Sequence, residues 1–160
     1  MLCKMVLDTP MGEMLAVADG NALHRLLFIG DDIDSKAYVD IPLGENSIIA
    51  LLKEELGSYF SGNIKKFTTP INPSGTEFQK LVWKTLLSVK YGSTISYKEQ
   101  AILMGMPLSF RAVANGNSRN PIAIIIPCHR IVRSNGDVCG YRGGISKKIL
   151  LIKHEKEFMC

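Results

Sequence analysis

The sequence predicts an α+β fold in two parts, an α/β domain at residues 1–73 and a mainly helical domain at residues 74–160. In the first part, short segments with strand-like patterns are separated by turn residues and followed by one amphipathic segment. In the second part, apolar residues recur at every third or fourth position in several consecutive segments. The parts meet at residues 69–73, Thr-Pro-Ile-Asn-Pro, where two prolines are typical of a connection between domains.

The first part contains three predicted strands and one predicted helix. The strands are expected at residues 2–8, 13–18 and 22–29. The helix is expected from Asn46 to Gly62, because apolar residues recur there at helical spacing and a glycine ends the pattern. The acidic segment at residues 31–34 has two interpretations, a cation site or, more commonly, a solvated loop. No residue pattern in this part indicates a catalytic site.

The second part begins with three predicted helices. The first covers residues 76–92 and opens with Thr76 and Gln79 at the spacing of a capping box. The second covers residues 96–104, and the third covers residues 109–116 after a break at Gly-Met-Pro. Two short helices joined by a glycine-containing turn form a helix-turn-helix pattern, whose second helix can enter a groove of DNA. Short helical hairpins are also ordinary core architecture, so the pattern alone leaves both interpretations open.

An apolar run at residues 122–126 ends at Pro127. It is followed directly by Cys128, which carries a thiol, and by His129, which carries an imidazole. We expect a buried strand that holds these two side chains at its end. The thiolate is the reactive form of cysteine, and a neighbouring base favours it. Adjacent side chains on a strand point to opposite faces, so His129 needs a turn or a bridging water to serve Cys128. Adjacency alone favours the alternative, a packed cysteine beside a surface histidine.

Residues 133–144 form the last irregular segment before a final helix. The sequence Arg-Ser-Asn-Gly-Asp at residues 133–137 is typical of a hairpin turn built on Asn-Gly. The glycine-rich Gly-Tyr-Arg-Gly-Gly that follows permits close backbone approach to a flat ligand, and it lacks the spacing of a phosphate-binding loop. The final helix is expected to begin at Ser146 and to carry Glu155 in its last turns.

Composition and charge narrow the classes of function. The chain has no run of the roughly 18 to 20 apolar residues that a membrane helix needs, and its first residues lack a signal-peptide pattern. Its four cysteines form no CxxC pair, which argues against a zinc knuckle or a disulfide framework and fits a reducing compartment. Residues 1–73 carry 6 Lys or Arg and 10 Asp or Glu, whereas residues 74–160 carry 13 and 5, a net charge of +8. The second part is where a polyanion would bind, with a solvated basic face as the alternative.

Residues 75–155 resemble the O6-alkylguanine-DNA alkyltransferases, also called methylated-DNA–protein-cysteine methyltransferases. The Pro-Cys-His-Arg signature is highly specific for this family when it occurs together with the other matching stretches given below. Residues 1–73 match only in general layout. The resemblance implies a ribonuclease-H-like first domain and a winged-helix-like second domain with a helix-turn-helix. The matching stretches, in the family's order, are Gly75-Thr76-x-Phe78-Gln79, Tyr91-Gly92 with Ser96-Tyr97, Arg111-Ala112-Val113, Asn120-Pro121, Ile126-Pro127-Cys128-His129-Arg130, Gly140-Tyr141-Arg142-Gly143-Gly144 and His154-Glu155.

The resemblance implies DNA repair by irreversible transfer of the alkyl group from O6-alkylguanine, and less readily from O4-alkylthymine, to Cys128. His129 would take the thiol proton through a bound water, Glu155 would stabilise the imidazolium, and Tyr97 would donate a proton to N3 of the leaving guanine. A thioether has no good leaving group, so one molecule would repair one lesion. The implied partner is double-stranded DNA with alkylated bases, and no cofactor is implied. We expect a cytoplasmic monomer that associates with the nucleoid when it binds DNA.

The resemblance also implies DNA contacts and a base pocket. Arg111 would fill the space left by the flipped guanine in the minor groove, with Ala112 and Ser96 as further DNA contacts. Asn120 would fix the turn that joins the recognition helix to the active segment. The base pocket is expected to be formed by Tyr141, Arg142 and Gly143.

Some residues depart from the family pattern. Arg142 stands where small residues are frequent, so a large cation there would narrow or recharge the pocket and limit bulky adducts. Ala114 stands where many members have glycine, and Lys90 where many have proline. Some members bind zinc in the first domain, but Asp19 falls where one cysteine ligand is expected, so we predict no metal.

Three other classes of protein remain as competing interpretations. A non-enzymatic lesion binder would keep the pocket but lack the cysteine, and Cys128 argues against it. A DNA-binding regulator would use only the helix-turn-helix and ignore methylation. A thiol hydrolase would turn over repeatedly.

Overall fold

The computed structural model describes residues 1–30 and 35–159, which contain small β-sheets and α-helices. The α+β class expected from the sequence is confirmed. Two compact units are present, Met1–Ser74 and Gly75–Cys160. The acidic segment at residues 31–34, for which the sequence left a cation site open, lies outside the described residues. Within the described ranges no helix is long and apolar enough to cross a bilayer.

The first unit is an antiparallel sheet with one helix packed on it. Its strands β1 (Cys3–Thr9), β2 (Gly12–Ala18) and β3 (Leu23–Phe28) lie in the order β1-β2-β3, and helix α1 (Ser47–Phe60) contacts β1 and β2. The side chain of Asn46 caps α1 by accepting a hydrogen bond from the Ile49 amide at 2.9 Å. These elements fall within two residues of their predicted bounds, because the turn and cap residues that delimit them act locally.

Two polar arrangements stabilise the first unit. Glu55 on α1 is buried and accepts hydrogen bonds from the backbone and side-chain donors of Thr68 and Thr69. Burial raises the pKa of the Glu55 carboxyl, but these hydrogen bonds outweigh burial and leave it below its ordinary value. Near the start of β3, His24 Nε2 lies 2.9 Å from Asp19 Oδ2, and this hydrogen bond with those from nearby amides lowers the pKa of Asp19 to about 2. No cluster of three or more His, Cys, Asp or Glu side chains suited to a metal ion occurs among the described residues.

The second unit is built around three short helices. Helix α2 (Glu77–Leu86) begins with the predicted capping box of Thr76 and Gln79, and both of its hydrogen bonds are present. Strand β4 (Ile95–Ser96) leads into α3 (Tyr97–Leu103), and α4 (Phe110–Ser118) follows after a turn. Strand β5 (Ile131–Val132) pairs with β4 in parallel, and α5 (Ile145–Glu157) ends the unit.

The prediction that α2 continues to residue 92 is wrong, because the helix ends at Leu86. Val89 continues the apolar spacing and is buried, which explains the error. Its amide bonds back to the Leu86 carbonyl at 3.0 Å, and its own carbonyl accepts a hydrogen bond from Arg130 Nη1 at 2.6 Å. The segment is therefore an irregular turn whose carbonyl is used by the site described below.

Helix α4 is fixed against its neighbours by polar as well as apolar contacts. The indole Nε1 of Trp83 on α2 donates to the Gly116 carbonyl at 3.0 Å. The buried amides of Gln100 and Asn117 exchange two hydrogen bonds, at 2.8 and 2.7 Å, between α3 and α4. A Cβ atom at Gly116 would lie 2.9 Å from Val82 Cγ2, so glycine permits the close approach of α2 and α4. The three helices thus pack on one another through polar and apolar contacts, and α3 and α4 form the helix-turn-helix.

The predicted strand at residues 122–127 is also wrong. This run is buried, but it folds as a compact turn in which the Ile126 amide bonds to the Ile122 carbonyl at 3.1 Å. Ile124 has a φ of 71°, a left-handed conformation that is strained for a β-branched residue. Apolar runs occur both in buried strands and in other buried segments, and periodicity does not distinguish them.

Candidate active site

Asn120 holds the turn that precedes Cys128. Its Oδ1 accepts a hydrogen bond from the Ile122 amide at 2.9 Å, and its Nδ2 donates to the Ile126 carbonyl at 2.8 Å. The same Nδ2 lies 3.2 Å from Cys128 Sγ. Because Asn120 lies two residues after the end of α4, a single side chain connects the segment that follows this helix, the buried turn and the thiol.

Cys128 is the first residue of a short 3₁₀ helix, Cys128–Arg130, and is partly exposed. Burial raises the pKa of its thiol above the ordinary value. The hydrogen bond from Asn120 and the positive charge of Lys148 act in the opposite direction without cancelling the effect of burial. The resting group is therefore a thiol, and its reaction requires a base.

His129 and Glu155 form a fully buried pair. His129 Nε2 lies 2.7 Å from Glu155 Oε2. Burial raises the pKa of the Glu155 carboxyl, but the hydrogen bonds and charges of His129 and Arg130 hold it well below its ordinary value. Burial lowers the pKa of the His129 imidazole and outweighs the opposite effect of Glu155. We therefore assign an ionised Glu155 that accepts the Nε2–H of a neutral His129.

This tautomer leaves His129 Nδ1 as a hydrogen-bond acceptor. Nδ1 is buried and has no partner among the described protein atoms. Buried polar atoms without protein partners commonly bind an ordered water. Such a water at Nδ1 is consistent with the expectation that His129 serves the thiol through a bridging water.

Arg130 fixes the carboxylate from the other side. Its Nε lies 2.7 Å from Glu155 Oε1 and its Nη2 lies 3.1 Å from Oε2, so the guanidinium engages both oxygens. Its Nη1 donates to the Val89 carbonyl, and its plane lies over the Tyr91 ring at 5.6 Å from the centroid. The Glu155 carboxylate is thus bound by both His129 and Arg130, and Arg130 is itself fixed by the Val89 carbonyl and the Tyr91 ring.

Tyr97 lies beside a buried lysine and a second thiol. Lys148 Nζ donates to the Cys139 carbonyl at 2.7 Å and the Gly140 carbonyl at 3.2 Å, and it lies 3.5 Å from the Tyr97 hydroxyl. Burial lowers the pKa of the Lys148 ammonium, whereas burial and the Cys139 contact raise the pKa of the Tyr97 phenol. Tyr97 therefore keeps its proton at neutral pH, and releasing this proton costs more than for an ordinary phenol unless a nearby positive charge stabilises the phenolate.

The residues expected to contact DNA divide into two groups. Arg111 and Ala112 are exposed in the first turn of α4, whereas the next residue, Val113, is buried. Ser96 is instead buried, and its Oγ accepts a hydrogen bond from the Glu99 amide at 3.0 Å. Its geometry gives Ser96 the role of N-cap of α3 rather than that of a surface contact.

The glycine-rich segment lies next to the same cluster. Tyr141 is partly buried, and burial raises the pKa of its phenol well above the ordinary value. Gly143 is partly buried, whereas Arg142 is exposed. Exposure of Arg142 fits a residue that adds positive charge here, and its effect on the size of a base pocket stays a prediction. The Asn-Gly turn at residues 133–137 is present, with the Arg133 amide bonded to the Asp137 carbonyl at 2.9 Å, but no described strand follows it to complete a hairpin.

Sequence reasoning missed three residues of the site. The sequence shows Arg130 only as part of a signature, because its role depends on a glutamate and a carbonyl that are distant in the chain. Lys148 precedes Glu155 by seven residues, so both lie on the buried face of α5 with Leu151. A lysine on an apolar helical face was the available signal. Cys139 has no such signal, because its position depends on the loop.

The second unit therefore combines a helix-turn-helix with a partly exposed cysteine beside a buried Arg-Glu-His cluster, the arrangement expected of a DNA-binding protein that uses a cysteine. Two family models match the chain: 6-O-methylguanine DNA methyltransferase, ribonuclease-like domain, at residues 2–73, and 6-O-methylguanine DNA methyltransferase, DNA binding domain, at residues 77–157. The chain therefore belongs to the 6-O-methylguanine DNA methyltransferase family.

Individual relatives cover nearly the whole chain. A methylated-DNA–protein-cysteine methyltransferase of Mycobacterium leprae is 39% identical over 150 residues, which are 94% of this chain and 90% of the relative. The protein of the same name from Methanosarcina barkeri is 38% identical over 154 residues, 94% of this chain and 95% of the relative. The crystal structure of Mycobacterium tuberculosis OGT in complex with DNA has a TM-score of 0.87 at 34% identity and covers 96% of this chain and 92% of that one.

Proposed function

We propose that this protein repairs DNA by transferring the alkyl group of O6-alkylguanine, and less readily that of O4-alkylthymine, to its own Cys128. It is then a single-turnover methylated-DNA–[protein]-cysteine S-methyltransferase. The observation that carries the proposal is a partly exposed residue, Cys128, next to the buried cluster of His129, Glu155 and Arg130. Family membership over both parts of the chain and the names of its relatives support the same reaction.

The cluster activates the thiol at the moment of reaction. A water at Nδ1 of His129 relays the proton of Cys128 to the imidazole, and the ionised Glu155 stabilises the imidazolium that forms. The Asn120 amide donates to the sulfur and stabilises developing negative charge on it, as an oriented donor does in other nucleophilic sites. Because the pKa of the resting thiol is raised, Cys128 is not a thiolate before the substrate binds. Its deprotonation is therefore coupled to attack on the alkyl carbon.

The transfer step exchanges two bonds at the alkyl carbon. The sulfur of Cys128 forms a bond to this carbon while the bond from the carbon to O6 breaks, and the electron pair passes into the guanine ring. Tyr97 donates its phenolic proton to N3 of the leaving guanine, and the nearby ammonium of Lys148 stabilises the phenolate. The product is a thioether, which no hydrolytic step returns to a thiol. One molecule therefore repairs one lesion.

DNA recognition rests on α4. Its exposed Arg111 and Ala112 face the minor groove, and Arg111 fills the space vacated when the damaged guanine flips out. Flipping costs a few kcal/mol and costs least for a poorly paired base. Ser96 supports this surface by capping α3, and Asn120 couples α4 to the thiol. Tyr141 and Gly143 form the wall of the base pocket, and Arg142 supplies positive charge at its rim.

We also propose how the chain is organised and where it acts. Residues 1–73 form the ribonuclease-H-like domain, and residues 74–160 form the domain that binds DNA and accepts the alkyl group. The protein acts as a monomer, since the whole catalytic cluster comes from a single chain. It acts in the cytoplasm and at the nucleoid, where its DNA substrate is found and where a free thiol stays reduced.

The test is the stoichiometry of transfer. The protein is incubated with duplex DNA that carries radiolabelled O6-methylguanine, and label per protein molecule is counted. We expect a plateau at about one label per molecule. Continued turnover would support a hydrolase, binding without transfer would support a lesion binder, and affinity that ignores methylation would support a sequence-specific regulator. Each of these three outcomes would contradict the proposal.

A further inference from the structure

Large apolar side chains are exposed where the second unit turns into α4. Leu108 in the turn is 94% exposed, and Phe110, the first residue of α4, is 44% exposed. Pro107 is exposed beside them. A cluster of exposed apolar side chains commonly marks a binding surface, because single exposed residues are ordinary but contiguous ones are not.

These residues line a groove of about 440 Å³, which we call the apolar groove. Its apolar and aromatic lining consists of Tyr97, Pro107, Leu108 and Phe110, and its polar lining consists of Lys98, Arg133 and Ser134. The volume lies within the range of about 300 to 1,000 Å³ that is typical of small-ligand sites. The described lining has two cations and no anion, so it suits a ligand that combines an apolar body with negative charge.

The apolar groove connects two parts of the proposed reaction. Phe110 is adjacent to Arg111, the residue that replaces the flipped base. At the other end, the Tyr97 hydroxyl contacts the Cys139 carbonyl at 3.4 Å, next to the pocket segment. A nucleotide that leaves the stack at Arg111 and reaches the site beside Tyr97 therefore passes along Phe110. Phe110 also lies three residues before the buried Val113, so it extends the apolar face of α4 into the groove.

We propose that Phe110 binds the deoxyribose of the flipped nucleotide, while Lys98 and Arg133 bind the phosphates on either side of it. This inference rests on the proposed function and adds a binding residue to it. The deoxyribose presents apolar C–H groups that pack on the phenyl ring, and the two cations match the adjoining phosphates. Arg111 stabilises the gap left in the duplex, whereas Phe110 stabilises the extrahelical nucleotide itself.

Three substrates separate these two roles. The free base O6-benzylguanine has no sugar, a short single strand with O6-methylguanine has a sugar but no stack to refill, and the duplex has both. We expect Phe110→Ala to slow transfer about tenfold on the single strand and the duplex alike, a loss equivalent to about 1.4 kcal/mol. Its reaction with the free base should match that of the wild type. Arg111→Ala should slow the duplex reaction alone.

A matched control and a salt series complete the experiment. Leu87→Ala removes an apolar side chain of similar exposure from the end of α2 and should leave all three rates unchanged. Lys98→Ala and Arg133→Ala should each reduce the slope of log affinity against log salt by about 1, and Phe110→Ala should not change it.

The outcomes distinguish this inference from the proposed function. Wild-type protein that transfers no alkyl group from any substrate would contradict the proposed function. With normal wild-type transfer, a Phe110→Ala defect confined to the duplex would show a role in opening the stack and overturn the sugar contact. No defect on either DNA substrate, an equal defect on the free base, or unchanged salt slopes for the two cation variants would also overturn it.

Discussion

Replacement of Glu155 by glutamine should destabilise the second unit strongly and stop transfer. Glu155 is 1% exposed and interacts with His129 and with two nitrogens of Arg130. The amide keeps the size of the side chain but removes the charge that balances the buried guanidinium. Loss of one partner from a buried ion pair costs about 3 to 5 kcal/mol, because the other charge stays buried and unpaired.

This loss can be measured as a melting temperature. In a chain of about this length, 1 kcal/mol corresponds to roughly 2 to 4 °C, so we expect Glu155→Gln to melt about 6 to 20 °C below the wild type. The control is Glu157→Gln, which changes the same residue type on the exposed side of the same helix and should melt within about 2 °C of the wild type.

A second variant tests whether the unpaired guanidinium is the cause. Arg130→Met in the Glu155→Gln background removes the buried charge and should recover part of the lost stability, since apolar replacement of a whole buried pair is often neutral or stabilising. Transfer should remain absent in the double variant, because His129 then lacks the carboxylate. A melting temperature for Glu155→Gln equal to that of Glu157→Gln would refute the assignment of Glu155 as the balancing charge.

Three further predictions concern DNA, the product and acid. Arg111→Ala should slow transfer on duplex DNA more than on free benzylguanine, because only the duplex needs flipping, and equal losses in a transfer assay would indicate a folding defect. Methylation of Cys128 should lower the melting temperature by several degrees, since overpacking of a buried site costs about 1 to 3 kcal/mol; a melt of the reacted, DNA-free protein that is unchanged would contradict this. Stability should fall as the pH drops below about 6.5 and again below about 4.3, because His129 and then Glu155 bind protons more readily in the unfolded chain. Denaturant melts that show the same stability from about pH 7.5 to about pH 2.5 would argue against both assignments.

The elements that the sequence predicted well are those with local signals. The hydrogen bonds of Thr76 and Gln79 involve residues three positions apart, so the start of α2 is visible in the sequence itself. The caps at Asn46 and Ser96 are local in the same way. Strand lengths in the first unit follow from turns such as that between β1 and β2.

The elements that it predicted poorly depend on distant partners. Residues 122–127 have the composition of a buried strand, and their turn depends on hydrogen bonds from the side chain of Asn120 as well as on those within the turn itself. The end of α2 depends on the Val89 carbonyl, which accepts a hydrogen bond from Arg130, 41 residues further along the chain. Neither the hydrogen bonds of Asn120 nor that of Arg130 produces a periodic pattern in the sequence.

The candidate site divides in the same manner. Cys128, His129 and Glu155 were expected from a signature and its order, and the described contacts bring the latter two together. Lys148 was missed, because a lysine is ordinarily exposed and its burial depends on carbonyls at residues 139 and 140. Arg142 is expected to narrow or recharge the pocket; the structure adds that it is exposed, which residue type alone does not determine.

The central claim is that Cys128 is the alkyl acceptor, and peptide mass spectrometry after complete reaction tests it most directly. The wild type and Cys128→Ser are each incubated with excess duplex containing O6-methylguanine and then digested. We predict one methyl group on the wild-type peptide that contains Cys128, and none on any peptide of Cys128→Ser, which should still bind the DNA. A methyl group on the peptide that contains Cys139 in either protein, or transfer by Cys128→Ser at a rate near that of the wild type, would contradict the account.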